Sequence, residues 1–440
     1  IKLLYEEEND MKKNKGITLV ALVVTIVVLL ILAGVSINLV LGNNGIIAKA
    51  KDAETKSAEA SENDLKGMNS LIEQMESALN GSGNGGKTEP ETVPYLPSDD
   101  FHYDTSTSVD TGLVIKDVNG NEYVWVVVPR TTAVYKTTGL GKTTFTDADY
   151  TSIENDLKEY TKTYRNGTGY SDTYAADDKN VGWFADATAY NNLKNSMLKS
   201  VYENGGFYVG RYEAGIDTTT GTNRTSKGPT NSDGKYTIEG MPAPVTKADA
   251  YPYTYVTRTQ AQNLASKVNA GTKTSRLMFG VQWDLVLAFM SKDTAKITST
   301  DVLTKDSTTI GNYYNSTFQL SQTGQYAVFS NFSLSSTWNP STTATTNFVD
   351  SSRNKIAQSS NGNGILVTTG TSETNKVMNI YDIAGNVYEW TLELTSYTLD
   401  PCAFRGGSFN YTGSSNPAAL RGLDSTDYGN FDFGFRVSLF

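Results

Sequence analysis

The sequence predicts an α+β protein: a long N-terminal helix, apolar and then amphipathic, followed by a large mixed domain with long loops. Three observations carry this prediction. Residues 17–35 are an almost unbroken apolar run. Residues 123–128 (YVWVVV), stopped by Pro129, and 206–212 (GFYVGRY) read as buried strands. Residues 257–268 (TRTQAQNLASKV) have helical spacing with Thr257 as N-cap, and a second short helix is expected over 283–290.

Composition narrows the chemistry. The chain has 440 residues, enough for one large or two modest domains. Its net charge of -10 repels phosphate backbones, which argues against nucleic acid as a partner. Charged residues are only 19%, and Thr, Ser, Gly, Asn and Tyr are abundant, a mixture that suits an extracellular surface. Cys402 is the one cysteine and His102 the one histidine. An intramolecular disulfide, a Cys/His zinc site and a two-His iron triad are therefore excluded. A Ser-His-Asp or Cys-His mechanism would rest wholly on His102, just after a Pro-containing linker.

The N-terminus speaks to location. Met11 reads as the start, followed by a basic run (MKKNK, 11–15), Gly16 and the apolar stretch. About 20 such residues at ~1.5 Å each span a bilayer core. The preceding positive charges place the C-terminal bulk outside the cell. Lys15-Gly16 followed by Ile17-Thr18-Leu19-Val20 resembles a type IV prepilin. The resemblance implies cleavage after Gly16, N-methylation of Ile17 and retention of the hydrophobic helix; an ordinary signal anchor is the other reading. Ala21 stands where most such pilins carry Glu, which implies a filament-tip subunit or a variant class. After a break at Gly42-Asn43-Asn44-Gly45, Leu65, Met68, Ile72, Met75 and Leu79 form an apolar stripe over 46–79. Such a stripe suits packing against other pilin subunits, or equally against the chain's own domain.

The expected division is a leader over 1–16, a transmembrane and stalk helix over 17–80, a Gly/Pro linker over 81–100 and a domain over 101–440. Within that domain, 131–180 and 291–376 are so rich in turn formers that they read as surface insertions.

Residues 379–391 (NIYDIAGNVYEWT) resemble the signature of the formylglycine-generating (sulfatase-modifying factor) family. Supporting blocks follow the family's order: 207–213 (FYVGRYE), 282–284 (QWD), 405–409 (RGGSF) and 434–436 (GFR). The resemblance implies a C-type-lectin-like fold. The family's copper-holding cysteine pair has no counterpart in 409–412 (FNYT), and Cys402 precedes the motif, so binding without catalysis is expected. Some members carry structural calcium, for which Asn386 and Glu389 offer hard oxygen ligands. Alternatively Asn386 caps a turn and Glu389 pairs with an arginine. Trp125, Trp283 and Trp390 read as core, and Arg405, Arg421 and Arg436 as scaffold buttresses.

The C-terminal stretch also resembles the variable proteins diversified by retroelements. Adenine-directed mutagenesis of Asn-type codons does not yield Lys, Glu, Gln, Met or Trp, and 404–440 contains none of these. Whether diversified or simply a Tyr/Asn-rich loop, Asn410, Tyr411, Thr412, Asn416, Asp424, Asp427, Tyr428, Asn430, Phe431 and Asp432 form the expected ligand surface. The function expected is a minor pilin-like adhesin for a protein or glycan on a host, cell or phage surface. A structural pilin or signal-anchored surface protein without a specific ligand is the alternative.

Overall fold

A computed structural model of the chain describes residue 24 and residues 94–440, apart from 166–168, 176–182, 225–236, 332, 344–346 and 359–361. The expectations for Gly16, Ile17, Ala21 and the stalk helix lie outside these residues, residue 24 apart. Among the described residues no helix is long and apolar enough to cross a membrane. The chain divides into two units, and everything below concerns the second, Glu91–Phe440.

The domain is a strand-rich α+β structure. Strands β1 (Phe101–Tyr103), β2 (Val114–Asp117) and β3 (Glu122–Val127) run antiparallel in sequence. The Asp117 carboxylate turns the β2–β3 hairpin by accepting from the N–H groups of Asn119 (2.9 Å) and Asn121 (2.8 Å). Two helices follow. α1 (Asp147–Tyr160) starts at a Thr146–Asp149 capping box. α2 (Ala187–Asn204) is capped by Asp186 and stopped by Gly205 at φ 71°. α1 buries Ile153 and Leu157, so 131–180 is not a surface insertion as the sequence suggested. Strand β4 (Gly206–Gly210) then pairs with β3 along its whole length.

Helix α3 (Arg258–Ala265) has the expected Thr257 cap, completed by Gln260. After the short β5 (Arg276–Leu277), α4 (Gly280–Met290) is buried at every residue, which explains a sequence that is apolar all round except for Gln282 and Asp284. Strands β6 (Gln325–Ser330), β7 (Ser333–Pro340) and β8 (Asn363–Val367) form an antiparallel sheet in the order β7-β6-β8. This corrects the second expected insertion, 291–376. The sheet has its own apolar core, with Tyr326, Ile365 and Val367 on one side and Ala327, Phe329 and Leu366 on the other.

The last strands are β9 (Tyr388–Thr395), β10 (Cys402–Arg405), β11 (Arg421–Asp424), β12 (Phe433–Phe435) and β13 (Val437–Leu439). They complete two sheets, β1-β2-β3-β4-β13-β5 and β11-β10-β9-β12, the second with Tyr170–Ser171 added beside β9. All pairs are antiparallel except β9–β12. Only Arg436 separates β12 from β13, so the chain's end stitches the two sheets together. Trp283 and Trp390 are fully buried and Trp125 nearly so, as the core reading expected. Tyr95, placed in the linker by sequence, packs its ring edge-on to Trp125 at 5.8 Å and Tyr208 at 6.0 Å.

Candidate functional site: an aromatic patch over a charged sheet

Side chains alternate across a strand, and the second sheet uses this to separate charge from aromaticity. In register, Arg405 of β10 faces Glu389 of β9 and Arg421 of β11, while Phe404 faces Trp390 and Gly422.

The charged face is buried and paired. Asp284 of α4 bridges the two arginines, its Oδ1 accepting from Arg405 Nη2 (2.8 Å) and its Oδ2 from Arg421 Nη2 (2.5 Å). Arg421 Nε also reaches both Glu393 oxygens, at 3.2 and 3.1 Å. Arg165 joins at Asp284 Oδ2, 2.6 Å. Desolvation lowers Arg405 to about 10, yet it still carries its charge at neutral pH. Arg436 donates to Glu389 Oε1 (2.8 Å) and to the carbonyls of Tyr381 (2.8 Å) and Gly210 (3.0 Å), tying both sheets to one guanidinium. The three arginines thus buttress the scaffold as expected.

Asn386 and Glu389 are engaged by N–H donors. Asn386 Nδ2 donates to Glu213 Oε2 (2.6 Å), and its Oδ1 accepts from Asn312 (3.0 Å) and Val367 N (3.2 Å). Both Glu389 oxygens accept from Arg436. The oxygens considered for calcium therefore hold hydrogen bonds in the turn-and-ion-pair arrangement. Among the described residues no three His, Cys, Asp or Glu side chains gather as a metal site. Cys402 is buried within β10, and His102 is exposed on β1.

The other face carries the rings. Phe404 lies directly over Gly422, where a Cβ would collide with it. Tyr388 stacks beside Phe404 (4.6 Å) and Phe433 (5.0 Å), and Phe404 and Phe433 meet edge-on at 4.9 Å. The loops 406–420 and 425–432, leaving β10 and β11, arrive over these rings. Tyr411 is 37% exposed and lies 5.8 Å from Tyr388. Tyr428 is half-buried, 5.0 Å from Phe433. Asn416 donates to the Tyr388 hydroxyl, and Asn430 to that of Tyr428 at 3.1 Å. Asp424 is half-buried and Asp427 exposed. Thr412 Oγ1 donates to Ser415 Oγ at 2.8 Å and accepts from Ser415 N at 3.0 Å, folding its loop on itself. Phe431 stays half-buried against Phe329 at 4.6 Å.

Two expected surface residues are not on the surface. Asn410 is 6% exposed, and its Oδ1 accepts from Gly362 N at 2.9 Å, fastening the loop to the edge of β8. Asp432 is 4% exposed. Burial raises its carboxyl to about 7, and Ser408 Oγ, 3.3 Å away, is its side-chain donor. Phe404 and Tyr388, which floor the patch, escaped the sequence reading. Their signal was the alternation within 388–395 and the glycine opposite Phe404.

Clefts lie elsewhere: one of about 710 Å³ by Arg211, Lys292, Asp110 and Asn379, and one of about 430 Å³ between α1 and α2.

No protein family matches the chain, and no curated protein does. Twelve solved chains match. Variable protein 1 of Treponema denticola is 14% identical with a TM-score of 0.27, over 53% of this chain and 84% of that one. The crystal structure of CarF gives the same identity and TM-score, over 53% of this chain and 86% of that one.

Proposed function

We propose that residues 101–440 are a non-catalytic, C-type-lectin-like ligand-binding domain displayed at the cell surface. In this reading the domain is the head of a minor type IV pilin-like adhesin, anchored by the hydrophobic segment that begins at Ile17. The observation that supports it best is the patch itself. Tyr411 and Tyr428 offer rigid contact area and Asn416 and Asn430 adaptable hydrogen bonds, all set on a sheet fixed by buried ion pairs. A rigid floor under variable-type loop residues suits recognition of a protein or glycan better than turnover of a small substrate. The absence of Lys, Glu, Gln, Met and Trp from 404–440 supports a stretch whose exposed positions are diversified.

The test has two parts. Immunogold labelling of sheared filaments with an antibody to 101–440 is expected to mark filament ends. Label along the shaft favours a structural pilin, and label confined to the envelope removes the pilus altogether. Deleting 101–440 is expected to abolish attachment; undiminished attachment would exclude the adhesin reading.

A further inference from the structure

The patch carries an unneutralised charge. Asp432 is buried, and among the described residues no Lys, Arg or His lies within ion-pairing distance of it. Asp424, half-buried at the end of β11, bonds only to the N–H of Ser425 and adds a second carboxylate nearby. Arg421, the one cation between 407 and 435, is spent on Asp284 and Glu393. Everywhere else on this sheet the buried carboxylates have arginines.

Four rings cluster in the neighbourhood of this carboxylate. Tyr388 and Phe433 make the floor at 5.0 Å from one another. Tyr411 and Tyr428 rise from separate loops as partly exposed walls, against Tyr388 and Phe433 respectively. The Asp432 carboxylate lies close enough to act on three of the four. Burial is the largest cause of the raised hydroxyls of Tyr388, Tyr411 and Tyr428, and the Asp432 charge adds to it in each. Aromatic faces present negative charge, so a ring cluster over an anion attracts a cation twice over.

Resting on the ligand-binding reading above, we infer that Tyr411 and Tyr428, over Tyr388, Phe433 and Asp432, form a receptor for an alkylammonium group on the ligand. A guanidinium fits less well. It seeks a two-pronged acceptor in its plane, and Asp432 Oδ2 already accepts from Ser408. A methylated ammonium needs no acceptors, only faces and a counter-charge. Asp432 and Asp424 supply the counter-charge near the rings. The ligand's cation then does for Asp432 what Arg436 does for Glu389.

The test uses the full chain in alkyl-maltoside micelles with choline as the probe, followed by saturation-transfer NMR. Its neutral isostere, 3,3-dimethylbutan-1-ol, and methylguanidinium serve as comparisons. Choline is expected to bind about tenfold more tightly than either, with the advantage lost in Asp432→Asn and in Tyr411→Ala. Affinity should also rise from pH 5.5 to 8 as Asp432 ionises, and Asp432→Asn should flatten that profile. Equal binding of choline and its isostere, stronger binding of methylguanidinium, or a pH profile unchanged in Asp432→Asn would each overturn the inference. Thermal melting of each variant checks that it remains folded. If choline fails while patch substitutions still abolish attachment, only the cation receptor falls. If attachment also survives those substitutions, the ligand surface itself is misplaced.

Discussion

Two buried carboxylate environments, on opposite faces of the same sheet, are treated in opposite ways. Beneath the sheet, Asp284, Glu393 and Glu389 are threaded by Arg405, Arg421 and Arg436 at distances from 2.5 to 3.5 Å. Above it, Asp432 is as deeply buried and has a hydroxyl donor but no cation. The first arrangement holds strands and helix α4 in fixed relation, because removing either partner strands a charge in a dry interior. The second lowers stability at the pH where the carboxyl ionises.

The largest expected effect lies on the paired side. Asp284→Ala leaves Arg405 and Arg421 side by side without their bridge, and should destabilise the domain by about 3–5 kcal/mol. Urea denaturation of the full chain checks this; a loss below ~1 kcal/mol would mean that the arginines find other partners.

Asp432→Asn sharpens the contrast because its sign is reversed. The folded carboxyl titrates near 7, above its unfolded value of about 3.9. Its contribution to stability is therefore full below the unfolded value and is lost as pH rises through about 7. The parent should lose stability relative to the variant across that window, with the variant ahead by roughly 2–4 kcal/mol at pH 8 and no gap near pH 4. Paired melting curves from pH 4 to 8 measure the gap. A constant difference would show that Asp432 does not titrate in this window.

Gly422→Ala is smaller, about 1–3 kcal/mol, since the new methyl drives Phe404 from its place over the strand. Near-ultraviolet circular dichroism should register the displaced rings. Tyr411→Ala is smallest, about 0.5–1 kcal/mol, because its side chain is partly exposed and its ring meets only Tyr388 at 5.8 Å. A larger loss would make Tyr411 part of the core.

Much of the fold was legible because some elements declare themselves locally. The apolar block 123–128 and the Thr257–Gln260 capping pair needed no long-range information, and both appear where the sequence places them. Strands β6 to β8 did not, because their Ser, Thr and Asn residues become strand only through pairing across the chain, Ser330 with Asn363 and Tyr326 with Val367. Helix α1 was missed for a related reason: Ile153 and Leu157 are its only fully buried apolar residues, Tyr150 and Tyr160 pack only partly against the core, and polar side chains make up most of the rest. At the patch, Tyr411 lies exposed and Tyr428 half-buried, both in the loops where the sequence put the expected ligand surface. Asn410 and Asp432 in the same loops are buried instead, unforeseen because an irregular loop has no period from which to read which side chain turns inward. The arginines' buttress role was legible from chemistry alone, because a buried arginine requires an anion.

The most direct test of the account is attachment by cells making the full chain with Tyr411→Ala and Tyr428→Ala together. The account predicts that attachment falls to the level left by deleting 101–440, while the melting temperature stays within a few degrees of the parent. Undiminished attachment by a folded double variant would contradict it and move the ligand to another face of the domain.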